Sequence, residues 1–164
     1  LASGQSNMDM AFSGSSFYDV DKDAADFANI RFFITPKTVF PPAPPDPTKP
    51  PPPAPVWESV SKETAGPMTA VGYYFARDVH LSTGVPIGIL QCSYGGSRTE
   101  AWASPELMAK GWPDYNKFIE TQLAARPDFF TQKPATQQSV AYEYMLKQHF
   151  PAALKGVIWY QGEG

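Results

Sequence analysis

The chain has 164 residues, which lies within the size range of a single domain with its own hydrophobic core. Its formal net charge is −3 and neither half carries a run of lysine or arginine, so the sequence offers no electrostatic surface for nucleic acid. A lone cysteine, Cys92, excludes an internal disulfide framework and a multi-thiolate metal site, and no apolar run is long enough to predict a membrane span.

The chain opens with the motif GQSN, which places Ser6 between two amide side chains just after Gly4. Because the chain begins at Leu1 without an initiator methionine or a signal-peptide pattern, we expect a processed or truncated product in which this motif follows an incomplete strand. Glycine permits the tight turn that would present a serine hydroxyl to substrate. Taken alone, the motif is more typical of a helix N-cap without a catalytic role.

A proline-rich segment follows, in which ten of the fifteen residues from Pro41 to Pro55 are proline. No regular helix or sheet ladder persists in such a sequence, and polyproline II is the expected local conformation. We interpret residues 41–55 as a semi-rigid surface loop between two packed elements. The alternative is a ligand for a proline-binding module.

Apolar strand patterns alternate with helical patterns along the chain. The predicted elements are a strand over 30–35, a helix around 71–79 that ends at Gly84, a strand over 85–92, helices over 105–111, 114–126 and 139–150, and a strand over 156–161. Ser104 and Pro105 supply an N-cap and a first-turn proline for the helix that ends near Gly111. The strands are apolar throughout, as in a parallel sheet covered on both faces, so the sequence predicts an α/β fold.

Three short motifs each follow a predicted strand: GQSN at 4–7, YGGS at 94–97 and QGE at 161–163. Ligands of open parallel sheets bind beyond the carboxyl ends of the strands, so we expect the motifs to converge. Acyl transfer needs a serine nucleophile and hydrogen-bond donors for the oxyanion. Ser6 and Gln161, with a glycine N–H from the second motif, are residues of these types.

Each motif is weak on its own. YGGS lacks the lysine and the spacing of a P-loop, and a plain turn is the simpler interpretation. QGE could end a strand with Glu163 solvated. The order and spacing of the three motifs together favour a hydrolase site.

The chain resembles the sialate O-acetylesterase-like carbohydrate esterases of the SGNH (GDSL-like) hydrolase superfamily. Three segments carry the resemblance, in this order: GQSNM, VPIGILQCSYGGSRTEAW and KGVIWYQGE. The resemblance covers nearly the whole chain. It implies a three-layer α/β/α flavodoxin-like fold with a mainly parallel sheet, as one esterase domain over residues 1–164. It also implies that acetyl groups are removed from sugar hydroxyls, of sialic acid or another acetylated glycan, by a serine mechanism without a metal or other cofactor.

The resemblance assigns roles to individual residues. Ser6 is the nucleophile, and the oxyanion hole comprises the N–H of Ser6, the N–H of Gly96, with Gly95 as second choice, and the side-chain amide of Gln161. Glu100, Trp102 and Glu163 also match family positions, as supporting or packing residues. Apart from the resemblance, we expect Gln5, Asn7, Tyr94 and Arg98 to support the site or bind substrate. Unlike the nucleophile elbow of α/β-hydrolases, Ser6 is not flanked by a GxSxG glycine pair.

Several neighbouring residues have both a functional and a structural interpretation. Arg98 could contact the carboxylate of an acidic sugar, although an exposed, unpaired Arg98 is the favoured alternative. Tyr94 could stack on a sugar face, whereas Trp159 lies inside a predicted strand and is expected in the core. Met8 and Met10 are expected to pack the first helix turn against the sheet, and Cys92 to be an inert core residue.

The catalytic histidine of the family, preceded by an aspartate three residues earlier, lies beyond QGE and has no counterpart here. His80 and His149 lie on helices that lead into strands, where residues tend to lie at the opposite edge of the sheet. We therefore expect a domain truncated before its Asp-x-x-His segment, little hydrolysis by the isolated chain, and a C-terminal segment or second chain that supplies the pair.

The alternative function is a non-catalytic carbohydrate-binding or scaffold protein that keeps the fold and lacks the base. In both cases the expected partner is an acetylated carbohydrate, with no nucleic acid and no membrane involved. The usual location of members of this family suggests that the protein is secreted, periplasmic or lysosomal.

Overall fold

The computed structural model describes residues 1–37, 48, 50, 53–111, 113–128 and 136–162. Most of the predicted loop over 41–55 therefore lies outside the described residues, as does Glu163; residues 53–55 are exposed. No helix within these ranges has both the length and the apolar character needed to cross a bilayer.

A five-stranded sheet forms the centre of the fold, in the order β3-β2-β4-β1-β5. Its strands are β1 (Ala2–Gly4), β2 (Phe27–Ile34), β3 (Glu58–Val60), β4 (Ile87–Ser93) and β5 (Ile158–Tyr160). The β2–β4, β4–β1 and β1–β5 pairs are parallel, and β3 pairs antiparallel with β2. The predicted α/β class with a mainly parallel sheet is confirmed.

Helices and short helical turns connect the strands. The α-helices are α1 (Ser6–Asp9), α2 (Tyr18–Asp21), α3 (Ala70–Thr83), α4 (Pro105–Gly111) and α5 (Pro113–Ala125). Gly84 ends α3 in the left-handed conformation with φ 71°, and the Ser104 hydroxyl accepts a hydrogen bond from Leu107 N at 3.1 Å at the start of α4. The predicted helix over 139–150 contains a π-helical turn, Tyr142–Leu146, and a 3₁₀ turn, Lys147–His149.

Two hydrophobic clusters lie on opposite faces of the sheet, because successive side chains of a strand point to opposite sides. Ile89 of β4 belongs to the first cluster, with Met8 and Tyr73. Its neighbour Leu90 belongs to the second cluster, with Met145. Helical segments therefore cover both faces, which gives the three layers that the family resemblance implied.

The outermost strand, β5, is more exposed than the sequence predicted. Trp159 and Tyr160 are each 45% exposed, and Ile158 is half-buried. Within the described residues β5 pairs with β1 alone, so one of its edges is open. The predicted core position of Trp159 is wrong, although its ring packs edge-on against Trp102 with the centroids 6.1 Å apart.

Candidate active site

The turn after β1 presents Ser6 at the carboxyl edge of the sheet. Gly4 has φ 145°, and a Cβ atom built on it would lie 1.9 Å from the carbonyl oxygen of Tyr160, so only glycine fits there. Ser6 is the first residue of α1 and is exposed, and its hydroxyl makes no hydrogen bond within the described residues. The motif does supply a helix N-cap, at Gln5, but without a side-chain cap hydrogen bond, and Ser6 itself lies inside the helix.

The glycine turn, residues 94–97 after β4, lies directly beside Ser6. Tyr94 N donates to the carbonyl oxygen of Gly4 at 3.0 Å, and a Cβ atom built on Gly95 would lie 3.9 Å from the Cβ of Ser6. Gly96 is exposed with φ 77°, and in the part of the chain that is described its N–H has no acceptor within hydrogen-bonding distance. The first two motifs therefore meet, because β1 and β4 are neighbours.

Gln161 reaches the same turn from the other side of β1. It follows β5, and its Nε2 donates to the carbonyl oxygen of Ser97 at 3.0 Å. Because a carbonyl oxygen accepts only from the NH₂ end of an amide, this bond fixes the orientation of the side chain and leaves the second N–H for another acceptor. Gln161 Oε1 is buried without a hydrogen-bond partner among the described residues.

The far end of the glycine turn is anchored in the second cluster. Trp102 Nε1 donates to the hydroxyl of Ser97 at 2.9 Å, and the two residues are 6% and 1% exposed. Trp102 belongs to the 3₁₀ turn Thr99–Trp102, which is separated from the end of the glycine motif by one residue. The turn is therefore held by a buried side chain and by Gln161.

Asp9, the last residue of α1, contacts the glycine turn, and the sequence analysis missed this residue. Its Oδ1 accepts from the Ser93 hydroxyl at 2.9 Å, and its Oδ2 accepts from Gly95 N at 3.3 Å. Lys37 Nζ forms an ion pair with the same Oδ2 at 2.6 Å. Asp9 lies three residues after Ser6, but its partners are distant in sequence, so no local pattern marked it.

Comparison with known proteins then identifies the family. The model of the family described as carbohydrate esterase, sialic acid-specific acetylesterase, matches residues 1–164. This chain belongs to that family. The resemblance stated from the sequence is confirmed.

Two curated relatives and one solved structure of carbohydrate esterases illustrate the similarity. The chain is 30% identical to the Mus musculus sialate O-acetylesterase over 192 residues, covering 99% of this chain and 34% of the mouse protein. It is 30% identical to the Homo sapiens sialate O-acetylesterase over 113 residues, covering 65% of this chain and 20% of that protein. A carbohydrate acetylesterase from Xanthomonas citri superposes with a TM-score of 0.74 at 31% identity, covering 98% of this chain and 32% of that chain. The chain thus spans about a third or less of the length of these esterases.

Arg98 and Glu100, two of the predicted supporting residues, lie near Tyr115 of α5. The Tyr115 hydroxyl donates to Glu100 Oε1 at 2.5 Å. Burial and the neighbouring Glu100 raise the pKa of Tyr115, and the Arg98 guanidinium acts in the opposite direction. Arg98 is half-buried and has interactions, so the prediction of an exposed, unpaired arginine is wrong. Glu100 and Tyr115 also line a cavity of about 250 Å³.

The other predicted supporting residues differ in exposure. Gln5 is 5% exposed, and its carbonyl oxygen accepts from Asp9 N at 2.8 Å, whereas Asn7 is exposed. Tyr94 is half-buried and packs against the second cluster, and its contact with a sugar stays a prediction. The predicted packing is confirmed for Met8, which is fully buried, and is wrong for Met10, which is 44% exposed.

Neither histidine contacts Ser6 within the described residues. His80 Nδ1 lies 2.8 Å from the carbonyl oxygen of Val85, before the start of β4. His149 Nε2 lies 2.9 Å from the hydroxyl of Thr35, which directly follows β2 at the carboxyl edge of the sheet. The prediction that His149 lies at the opposite edge is therefore wrong. β2 is two strands from β1, a separation of about 10 Å, and burial lowers the pKa of His149.

Cys92 is a buried core residue of this esterase family member, in agreement with the sequence analysis. It is fully buried in the second cluster, and burial raises the pKa of its thiol to about 12. No three His, Cys, Asp or Glu side chains of the described ranges lie close enough together to hold a metal ion.

Proposed function

We propose that this chain carries the nucleophile and the oxyanion hole of a serine esterase that removes O-acetyl groups from carbohydrate, either sialic acid or another acetylated glycan. The observation that supports this function is the exposed Ser6 hydroxyl beside the glycine turn, at the junction of β4, β1 and β5. The family of the chain and the names of its relatives supply the substrate class.

The proposed reaction has two steps. The Ser6 oxygen forms a bond to the acetyl carbonyl carbon while a general base takes the hydroxyl proton, and the sugar oxygen then leaves with a proton. Water attacks the resulting acetyl-serine in the second step, releases acetate and restores Ser6. Both steps pass through a tetrahedral intermediate with negative charge on the former carbonyl oxygen.

Three donors from three strand ends would stabilise that oxyanion: Ser6 N, Gly96 N and Gln161 Nε2. Gly95 N is the poorer choice because it already donates to Asp9, whereas Gly96 N is free of acceptors in the described structure. The bond from Gln161 to Ser97 holds the side-chain amide in place and leaves it one N–H. Removing one such donor typically costs about 3 kcal/mol of transition-state stabilisation.

We propose that the general base comes from outside this chain. Both histidines have partners away from Ser6, namely Val85 and Thr35. An Asp-x-x-His segment from a C-terminal part of the protein, or from a second chain, would complete the triad. The chain without that segment is then expected to hydrolyse acetyl esters several orders of magnitude more slowly.

Active-site labelling tests the assignment. The protein from its complete reading frame is treated with a fluorophosphonate, and the adduct is mapped by mass spectrometry. We expect modification of Ser6, loss of labelling and acetate release in Ser6→Ala, and no loss in the control Ser16→Ala, another exposed serine. An adduct on a different residue would exclude Ser6 as the nucleophile.

A second candidate function is carbohydrate binding without hydrolysis. The observation that favours it is the absence of a histidine contact to Ser6 in the described part of the chain. Titration with acetylated and deacetylated sugars distinguishes the two functions. Binding without acetate release, by the complete protein as well as the chain, would support the second.

We further propose a secreted, periplasmic or lysosomal location for this protein. The family resemblance is the support for this location. Fractionation of the native host tests it, and recovery of the protein with cytosolic markers alone would contradict it.

A further inference from the structure

A series of hydrogen bonds between polar groups runs beneath the candidate site, from the start of α3 to the end of α1. Thr69 N donates to Gln91 Oε1 at 2.8 Å, and Gln91 Nε2 lies 3.4 Å from the hydroxyl of Ser93. Ser93 in turn donates to Asp9 Oδ1 at 2.9 Å. Thr69, Gln91 and Ser93 are all buried, so the Asp9 carboxylate is fixed from the core side of the sheet.

The second oxygen of Asp9 acts on the glycine turn. Oδ2 accepts from Gly95 N at 3.3 Å and lies 3.5 Å from where a Gly95 Cβ would be, so the carboxylate packs against the backbone of that residue. This contact turns the N–H of Gly95 toward α1. The next N–H, that of Gly96, is left exposed and without an acceptor in the described residues.

We propose that Asp9 is a positioning residue for the oxyanion hole. By holding Gly95 N, it sets the glycine turn against Ser6 so that the Gly96 N–H is the one that faces the reacting carbonyl. This inference rests on the proposed esterase function and deepens it, because it adds a residue that acts through the turn rather than on the substrate. Displacing a reacting group or donor by about 1 Å costs on the order of a hundredfold in rate.

Lys37 offsets the negative charge of the Asp9 carboxylate beside the proposed oxyanion hole. A negative charge near the oxyanion would oppose its formation, but Lys37 Nζ pairs with Asp9 at 2.6 Å, and the carboxylate also accepts two hydrogen bonds. The Asp9 side chain is 14% exposed, so solvent screens this pair only in part. The hydrogen bonds of Asp9, rather than its charge, are therefore expected to matter for the rate.

Two variants separate the hydrogen bonds from the charge. Asp9→Ala removes both, whereas Asp9→Asn keeps an acceptor for Gly95 N, and its NH₂ group can donate to the Ser93 oxygen. With the complete protein and an acetylated sugar, we expect Asp9→Ala to lower kcat about 10²–10³-fold with little change in KM. Asp9→Asn should keep kcat within about tenfold. The surface control Asp19→Ala should match the wild type.

The outcomes distinguish this proposal from the proposed function. A wild-type protein without acetate release, or with its fluorophosphonate adduct away from Ser6, would contradict the esterase function itself. If the wild type is active and labelled on Ser6, a wild-type kcat for folded Asp9→Ala would overturn the role of Asp9. Equal losses in Asp9→Ala and Asp9→Asn would overturn it as well, because the charge would then be responsible.

A measurement on the wild type covers the case in which Asp9→Ala does not fold. In protein labelled with ¹⁵N-glycine, the Gly95 amide should exchange with solvent more slowly than the Gly96 amide, because only Gly95 N has an acceptor. Equally fast exchange at both glycines would overturn the proposal.

Discussion

Gly4 and Tyr160 approach so closely that a methyl group at position 4 would overlap the Tyr160 carbonyl oxygen, at 1.9 Å. The backbone of β5 therefore packs against the residue from which the Ser6 turn begins. We expect Gly4→Ala to lower the free energy of unfolding by about 3 kcal/mol or more, from strain at φ 145° and from overpacking.

Urea denaturation of the two glycine variants Gly4→Ala and Gly14→Ala measures this effect. Gly14 has ordinary φ and nothing closer than 3.8 Å to a built Cβ, so Gly14→Ala should stay within about 0.5 kcal/mol of the wild type. Equal stabilities of the two variants would show that β5 does not pack as described.

The two glycines of the second motif should differ in their tolerance of alanine. Gly96 has φ 77°, where an L side chain costs about 1–2 kcal/mol, so alanine would distort the turn. Gly95 has no such φ, and its built Cβ makes ordinary contacts of 3.5 Å and 3.9 Å with Asp9 and Ser6. We expect kcat for an acetyl ester to fall about a hundredfold or more in Gly96→Ala and less than about tenfold in Gly95→Ala. The reverse order would reject Gly96 as the donor.

The amide of Gln161 should matter more for the rate than for substrate affinity. Gln161→Leu loses both the bond to Ser97 and the proposed oxyanion contact, so we expect a drop in kcat of about 10²–10³-fold with a small change in KM. Gln148→Leu, at an exposed helical position, is the matched control and should keep wild-type kinetics. A raised KM with unchanged kcat would assign Gln161 to substrate binding instead.

Cys92 should resist thiol reagents in the folded protein. The thiolate is the reactive form, and burial raises the pKa of this thiol to about 12, so at pH 8 the neutral form dominates. We expect a thiol-specific chromophoric reagent to modify Cys92 only after denaturation, and the native rate to stay low until the pH approaches 12. Fast modification at pH 8 without unfolding would contradict its burial.

The sequence predicted the strands of the sheet centre well, and for a physical reason. A strand covered on both faces is apolar at most positions, which made β4 visible as a nearly continuous run. β2 was predicted only from its second half, over 30–35, because Asn29 and Arg31 interrupt its apolar pattern and are exposed. The same rule failed at β5, because an apolar run does not show that helices cover both faces of a strand, and Trp159 proved to be exposed. β3 was missed because its three residues carry no pattern.

The site was predictable as far as its residues lie at strand ends. Because the carboxyl ends of parallel strands meet at one edge of a sheet, the sequence alone predicted that GQSN, YGGS and Gln161 lie close together. The role of Asp9 was not predictable, because it depends on Lys37 and Ser93, which lie 28 and 84 residues away along the chain. The contact of His149 with Thr35, across 114 residues, likewise depends on how a helical segment packs.

The most direct test of Ser6 as the nucleophile is to stop the complete protein during turnover of an acetylated sugar and to analyse its peptides by mass spectrometry. Covalent catalysis predicts one added acetyl group on the peptide that contains Ser6, with none in Ser6→Ala. Steady turnover with an acetyl group on another residue, or continued acetate release by Ser6→Ala at the wild-type rate, would contradict this mechanism.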